Sequence, residues 1–232
     1  MIRIKDLKKQ FGEKTAVDIS EFVINDGDIL GLVGNNGAGK TTLFRLMLDL
    51  LKADDGQVSI NDINPAESEE WKKDTGAYID EGFLIDFLTP EEYFEFIGSV
   101  ADLTKDEINQ RLEPYMPFMA DEIIGQNKLI RDFSAGNKQK IGIIATLLNE
   151  PHLVILDEPL NFLDPSSQNL LKTIMSEYQS RTGATVLISS HNLQHTVDIS
   201  TRIALLEHGH IISDLDNKEG SAREQLEEYF KT

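Results

Sequence analysis

A segment of eight residues between an apolar run and a helical pattern restricts the fold of this chain more than any other feature. Residues 34–41 read Gly-Asn-Asn-Gly-Ala-Gly-Lys-Thr, after the apolar run Ile29–Val33 and at the start of the helical pattern Lys40–Leu51. The glycines allow a tight backbone whose N–H groups point at one anion. Chance produces the four fixed positions in about one chain of this length in a hundred. With its flanking strand and helix, the segment predicts a phosphate-binding loop.

Each part of this loop has a predicted role towards ATP and Mg²⁺. The helix that starts near Lys40 adds the positive end of its dipole. Lys40 is expected to place its charge between the β- and γ-phosphates, and the Thr41 hydroxyl is a hard oxygen ligand for Mg²⁺. The residues predicted to contact ATP here are Gly34, Asn35, Asn36, Gly37, Ala38, Gly39, Lys40, Thr41 and Thr42.

A second motif pairs two acids at the end of an apolar strand. Leu153–Leu156 is followed by Asp157, Glu158 and a proline. Adjacent side chains on a strand face opposite ways, so the two acids can do different work. Asp157 is predicted to hold Mg²⁺, and Glu158 to orient or deprotonate the attacking water. An acidic turn after a buried strand is the alternative, but together with the loop the pair predicts ATP hydrolysis by Lys40 and Glu158.

The remaining pattern alternates strands and helices and is interrupted once. Two capping boxes, Thr89–Glu92 and Thr104–Glu107, open a stretch at 89–149 that contains helical patterns and no convincing strand. We expect an α/β fold with a parallel sheet, whose core is 1–88 and 150–232 and whose helical insertion is 89–149. Strands are expected at 1–7, 16–24, 29–33, 56–60, 75–79, 153–156, 184–189 and 202–207, and helices at 40–51, 165–182 and 221–230.

Charge and composition exclude several classes of function. The net charge of −18 disfavours a nucleic-acid partner, because an acidic surface repels phosphate backbones. The chain has no cysteine, which excludes disulfides, thiolate metal sites and thiol nucleophiles. No apolar run is long enough to cross a bilayer and no signal peptide is visible. We therefore expect a soluble, cytoplasmic protein without direct membrane insertion.

These motifs, in this order, resemble one family over essentially the whole chain: the ATP-binding subunits of ABC transporters. Further family motifs are similar to short segments of this sequence. Phe133–Asn137 is similar to the family signature Leu-Ser-Gly-Gly-Gln, as a variant of it, and Asn161–Asp164 is similar to the D-loop. Ser189–His191 corresponds to the segment with the switch histidine. Phe11 stands where the family has an aromatic residue that stacks on adenine, and Glu81 stands at the Q-loop position. The resemblance implies an N-terminal antiparallel β subdomain and an inserted helical subdomain on a P-loop NTPase core with a mainly parallel sheet.

The resemblance also implies roles for these residues. Phe11 would stack on adenine, His191 would contact the γ-phosphate, and Glu81 would add an oxygen ligand for Mg²⁺. The segment Ser134, Ala135, Gly136 and Asn137 would bind the γ-phosphate of ATP held by another subunit. Simpler readings exist, since Ser134 is a good helix N-cap, Phe11 could be core and Glu81 a surface acid. Ala135 and Glu81 depart from the usual glycine and glutamine, which leaves their effect on turnover open.

One loop and one signature segment imply a partner. A head-to-tail homodimer, or a heterodimer with a related subunit, would enclose two ATPs and drive an integral membrane permease, which would hold this chain at the cell membrane. Phe83, Leu84, Ile85, Phe87 and Leu88 are apolar where the family receives the permease, although most of them are expected to be core. Glu81 in a short single domain resembles exporter-type subunits. The alternative is a soluble ABC ATPase that acts on a scaffold, as in iron–sulfur cluster assembly; a GTPase switch would leave His191 unexplained.

Overall fold

The computed structural model describes residues 1–217 together with residues 222, 225 and 226. The strands are β1 Ile2–Phe11, β2 Lys14–Ile24, β3 Ile29–Val33, β4 Asp55–Ile60, β5 Thr75–Tyr78, β6 Leu153–Leu156, β7 Thr185–Ser190, β8 Arg202–Glu207 and β9 His210–Asp216. The α-helices are α1 Lys40–Met47, α2 Pro90–Val100, α3 Lys105–Leu112, α4 Met116–Met119, α5 Ala135–Leu147, α6 Pro165–Thr182 and α7 Leu193–Ile199. Of the helix expected at 221–230, Ala222, Gln225 and Leu226 are helical, and the rest lies outside the described residues.

A small antiparallel sheet in the order β2-β1-β4 forms the N-terminal part of the chain. Burial alternates at the start of β1, where Ile2 and Ile4 are buried, and Leu7 is also buried after an irregularity at Asp6, whose φ is 49°. Both strands are longer than the sequence indicated, since β1 continues to Phe11 and β2 begins at Lys14. This is possible because Gly12 takes a positive φ of 60° and the chain reverses within two residues. The antiparallel N-terminal subdomain that the family resemblance implied is therefore present.

A larger sheet in the order β5-β6-β7-β3-β8-β9 forms the centre of the described chain. Its strands are parallel except for β9, which runs antiparallel to β8. Every residue of β3, β6 and β7 is buried, which explains why these strands read as continuous apolar runs. The carboxyl ends of these three strands lie side by side, where ligands of such sheets bind. Thus the phosphate loop, the acid pair and His191 reach one edge of the sheet.

Helix α1 is shorter than its apolar pattern indicated, and the expectation of a helix to Leu51 was wrong. It ends at Met47, because Asp49 adopts a left-handed φ of 51°. The N–H groups of both Leu50 and Leu51 then donate to the carbonyl of Arg45, at 2.9 and 3.2 Å. Leu50, which the pattern placed on the buried side, is half exposed.

Residues 89–149 form helices and contain no strand. Both capping boxes are present: the side chains of Thr89 and Thr104 accept from the backbone of Glu92 and Glu107, whose carboxylates bond back. The apolar side chains of these helices share one buried cluster with the parallel sheet, with Phe94 and Phe118 among its largest members. This packing holds the start of α5 in a defined position relative to the sheet. No helix among the described residues is long and apolar enough to span a membrane.

Candidate active site

The loop between β3 and α1 has a shape that only glycine permits at two points. Gly39 has a φ of 113°, and a Cβ there would lie 2.2 Å from the carbonyl oxygen of Ala16. A Cβ on Gly34 would lie 2.3 Å from the carbonyl oxygen of Leu206. Gly39 caps α1 without a side-chain bond, and the first turn of the helix carries no acid. The N–H groups of that turn are therefore left for an anion, and the loop fits the phosphates of ATP.

Lys40 is buried and lies across the loop. Its Nζ donates to the carbonyl of Gly34 at 2.7 Å and to that of Asn35 at 3.4 Å. The same atom lies 3.2 Å from Oε1 of Glu158, although only 6% of the Lys40 side chain is exposed. The buried ammonium of Lys40 is thus bound to two backbone carbonyls and one carboxylate, and phosphate oxygens can replace these partners.

Asp157 joins two hydroxyl groups at the end of β6. The Thr41 hydroxyl donates to Oδ2 at 2.5 Å, and the Ser189 hydroxyl donates to Oδ1. Burial raises the pKa of Asp157 above its ordinary value, and the negative charge of Glu158 acts in the same direction, whereas the two hydroxyl bonds oppose both. A buried carboxylate beside a hydroxyl oxygen is a donor set that suits Mg²⁺, whose charge would relieve the cost of burying Asp157.

Glu158 points in a different direction from Asp157 and meets His191. Its Oε2 lies 2.8 Å from Nδ1 of His191, and the backbone N–H of His191 lies 3.3 Å from the same oxygen. Its backbone has a positive φ of 48°, its N–H donates to Ser189 Oγ at 2.8 Å, and Gln139 donates to its carbonyl. These bonds hold Glu158 in an uncommon backbone conformation, with its carboxylate between Lys40 and His191.

Phe11 lies in a cavity of about 280 Å³ that the loop also lines. The cavity includes Gly37, Lys40 and Glu158, and 51% of Phe11 is exposed, so the core reading of Phe11 is wrong. The ammonium of Lys9 lies 5.7 Å from the centre of the ring. A base stacked on Phe11 would thus adjoin the phosphate loop, and the stacking role of Phe11 stays a prediction.

Glu81 and Ala135 both line a second cavity, of about 360 Å³, which Asp157 also lines. This cavity also contains Thr41 and Glu158. The Glu81 carboxylate is largely exposed and lies 3.8 Å from the ammonium of Lys138. Glu81 therefore faces the same space as the proposed Mg²⁺ ligands, and its role as a ligand stays a prediction.

The segment Phe133–Asn137 begins α5, with Ser134 as the N-cap. The Ser134 hydroxyl accepts from the N–H of Asn137 at 3.3 Å, so the capping role is confirmed. Ser134 and Ala135 are exposed, which leaves them free to contact another molecule. A Cβ on Gly136 would lie 2.6 Å from the carbonyl oxygen of Phe162, so glycine is needed where this helix meets the neighbouring loop. The second role, towards ATP of another subunit, stays a prediction.

Sequence reasoning gave no role to two residues of the site, Ser189 and Lys14. Ser189 bonds to both Asp157 and Glu158, and its signal was a polar residue at the end of an otherwise apolar strand. Lys14 lines the cavity beside Phe11, and its Nζ would lie 3.6 Å from a Cβ on Gly37. No motif marks Lys14, since a lysine after a turn is ordinary surface chemistry.

Comparison with known proteins decides the family. The family model described as ABC transporter matches residues 17–161, which is more than half of the chain.

This chain belongs to the ABC transporter family.

Curated relatives agree with this assignment along most of the chain. The bacitracin transport ATP-binding protein BcrA of Enterococcus faecalis is 32% identical over 225 residues, which cover 94% of this chain and 70% of BcrA. The lantibiotic transport ATP-binding protein SrtF of Streptococcus pyogenes is 30% identical over 236 residues, covering 99% and 96%. This ABC protein is an ATPase, and the α/β P-loop fold expected from its motifs is confirmed.

Solved structures show the same fold. An ATP-binding subunit of an ABC transporter superposes with a TM-score of 0.84 at 27% identity, covering 98% of this chain and 93% of that structure. A dimeric ATP-binding cassette in a post-hydrolysis state, bound to ADP and Pi, has a TM-score of 0.82 at 21% identity, covering 94% and 99%. The helical stretch at 89–149 is thus part of an ABC ATPase fold.

Proposed function

We propose that this ABC ATPase is the ATP-hydrolysing subunit of an exporter-type transporter, which pairs with a second ATP-binding subunit around two ATPs and drives a membrane permease. The observation that carries the proposal is the incomplete site. Lys40, Glu158 and His191 converge on one side of the phosphate position, while the exposed Ser134 caps a separate helix. The transport roles in the names of BcrA and SrtF support the permease partner.

The residues of the chain divide the chemistry among them. The N–H groups at the start of α1 and the ammonium of Lys40 bind the phosphates. Thr41 Oγ1 and Asp157 would hold Mg²⁺, with Glu81 as a further ligand, and the ion would supply positive charge next to the phosphates. For hydrolysis, Glu158 takes a proton from the attacking water as the bond between the γ-phosphorus and its bridging oxygen breaks. His191 contacts the γ-phosphate as charge develops there.

The contacts of Glu158 indicate how ATP binding prepares this step. One carboxylate oxygen of Glu158 is paired with Lys40 and the other with His191. Phosphate oxygens compete for Lys40, because they carry more negative charge than a single carboxylate. Binding of ATP then frees Oε1 of Glu158 to accept a proton, whereas His191 continues to hold Oε2.

The second half of the γ-phosphate site comes from the partner subunit. Ser134 and Ala135 are exposed at the start of α5, and the N–H groups of a helix start favour an anion, as at the start of α1. A homodimer and a heterodimer would both supply such a helix start. ATP bound between the two subunits then holds the dimer together, and its hydrolysis allows the subunits to separate.

The permease contact lies on the apolar stretch after Glu81. Leu84, Ile85 and Leu88 pack against the core, as expected for most of the stretch. Phe83 and Phe87 are instead exposed by 54% and 65%. Two exposed phenylalanines in one short segment are unusual on a monomer surface and suit a protein partner. The scaffold alternative has no comparable support, since BcrA and SrtF are both named as transport ATP-binding proteins.

The decisive experiment is purification from native membranes. The tagged chain, extracted in mild detergent, should bring down a protein with several membrane spans. Phe83→Ser with Phe87→Ser should lose that protein while the free subunit keeps its ATPase rate, because neither residue contacts the nucleotide site. Phe96→Ser, which alters another half-exposed phenylalanine on α2, is the matched control. Recovery of only cytosolic proteins would refute the transporter assignment.

A further inference from the structure

A cavity of about 450 Å³ lies at the edge of the parallel sheet opposite the phosphate loop. It is lined by the first residues of β5, β6 and β7, which are Thr75, Leu153 and Thr185. The nucleotide site is built on the carboxyl ends of these strands, so a full strand length separates the two. The volume is within the range of pockets that bind small ligands. None of the roles assigned to the nucleotide site uses this cavity.

The lining combines apolar walls with carboxylates. Ile2, Ile60, Ile63, Trp71 and Leu153 form the apolar part. Asp26, Glu70 and Asp74 are the acids. Lys72 and Lys73 are not part of the lining, and the basic groups that are present are already engaged: the Met1 amine bonds to Asp26, and His152 bonds to Asp74. A ligand in this cavity therefore meets negative charge beside an apolar surface.

Two of the carboxylates have acceptor capacity left. Asp74 takes both bonds from His152 on Oδ1, from the backbone N–H at 3.1 Å and from Nδ1 at 2.8 Å. Its Oδ2 and the whole carboxylate of Glu70 have no bonding partner in the described part of the chain. These oxygens can accept hydrogen bonds from an ammonium group.

Trp71 supplies a complementary donor. It is the single tryptophan of the chain and only 6% of it is exposed, yet it lines the cavity. Its indole N–H has no acceptor among the described residues. Buried donors almost always have a partner, so the unpaired N–H of a residue that lines the cavity is a second, independent sign of a missing acceptor.

We propose that this cavity binds an amphipathic amine. The ammonium of the ligand bonds to Glu70 and to Oδ2 of Asp74, its alkyl body packs on Ile60 and Leu153, and a ligand oxygen accepts from Trp71. A free small amine and a lysine side chain of another polypeptide share this chemistry. The net charge of −18 attracts either and repels an anion of the same size.

Because Trp71 is the only tryptophan, its fluorescence reports on this cavity alone. The full chain without nucleotide is titrated with 6-aminohexanamide, hexanamide and 6-amino-6-oxohexanoate, which share a chain and an amide but end in ammonium, methyl and carboxylate. Calorimetry under the same conditions gives a second readout. Saturable binding of the amine, with at least tenfold weaker binding of the other two, is the expected result. Acetyl-Gly-Lys-Gly-amide in a further arm tells a polypeptide lysine from a free amine.

Two matched variants locate the site. Glu70→Gln should weaken binding of 6-aminohexanamide by about threefold, the scale of one partly exposed ion pair. Glu67→Gln removes the same charge from an exposed position outside the lining and should leave binding unchanged. The proposal is overturned if neither readout detects the amine, if hexanamide binds equally well, or if both variants behave alike. ATP hydrolysis does not enter the measurement, so the proposed transport function stands or falls separately.

Discussion

Oε2 of Glu158 lies 2.8 Å from Nδ1 of His191, while Oε1 lies 3.2 Å from Nζ of Lys40. The three residues come from the ends of β6 and β7 and from the loop after β3, so the pairing of these strands brings them together. The carboxylate of Glu158 is thus shared between Lys40, which is expected to bind phosphate, and His191, which is expected to contact the γ-phosphate. This arrangement makes the effects of replacing the three residues separable.

Glu158→Gln should bind ATP normally and lose at least about a hundredfold in turnover, because the amide keeps the shape and cannot take a proton. The trapped species should be a dimer, seen by gel filtration with ATP and Mg²⁺. Glu177→Gln, on the exposed face of α6, is the control and should resemble the parent. A purely monomeric profile with bound ATP would contradict the shared site.

His191→Ala should leave the dissociation constant for ATP unchanged and lower kcat, since its contact strengthens only as charge develops on the γ-phosphate. Equilibrium binding and steady-state turnover measured on one preparation test both parts. His210→Ala, on the exposed side of β9, provides the comparison. Equal kcat values for the two variants would make His191 structural.

Phe11→Ala should weaken binding of ATP by about 1–3 kcal/mol, the usual scale for a base stacked on an aromatic ring. ATP and GTP should lose alike, because stacking reads the π-face of a base and not its edge. Phe11→Tyr should keep the affinity, and Phe96→Ala, a half-exposed phenylalanine on α2, should have no effect. If Phe11→Ala binds both nucleotides as the parent does, adenine lies elsewhere.

Ala135→Gly should tighten the ATP-bound dimer of the Glu158→Gln protein, because Ala135 is exposed at the start of α5 and its methyl would face the opposing nucleotide. The folded monomer should lose up to about 1 kcal/mol, since glycine is poor in a helix. Dimerisation by analytical ultracentrifugation and melting without nucleotide measure the two effects separately. An unchanged dimer with a less stable monomer would show that residue 135 does not face the phosphate.

Asp164 should stabilise the chain only where it is ionised. Its carboxylate caps α6, accepting from the N–H groups of Ser166 and Ser167 and from the Ser167 hydroxyl, and the hydroxyl bond is the main reason that its pKa lies below the ordinary value of 3.8. A lowered folded-state pKa means that the stabilisation is complete above the unfolded value and is lost as pH falls through the folded one.

Asp164→Ala should therefore lower the melting temperature at pH 7, and the difference from the parent should shrink as the pH falls below about 4. Asp164→Asn keeps a capping oxygen that does not titrate, so its melting temperature relative to Asp164→Ala should not vary with pH. A difference between the parent and Asp164→Ala that stays constant from pH 7 to pH 3 would contradict the capping argument.

The local motifs could be read from the sequence because each depends on neighbouring residues. Gly39 takes a positive φ that favours glycine at that one position, and Thr89 and Thr104 cap helices through residues three positions away. Such features follow from chain geometry over a few residues. The helix end at Met47 escaped prediction because apolar spacing continued past the point where Asp49 turned the backbone.

The sequence by itself thus determined the phosphate loop, the acid pair and the alternation of strands and helices, since periodicity and turn chemistry act locally. Only the tertiary structure decided that Ser189 joins Asp157 to Glu158, that Lys14 approaches Gly37 of the phosphate loop, and that Trp71 lines an acidic cavity. These relationships depend on which strands become neighbours. Strand order is set by the burial of whole apolar faces against one another, and no short stretch of sequence encodes it.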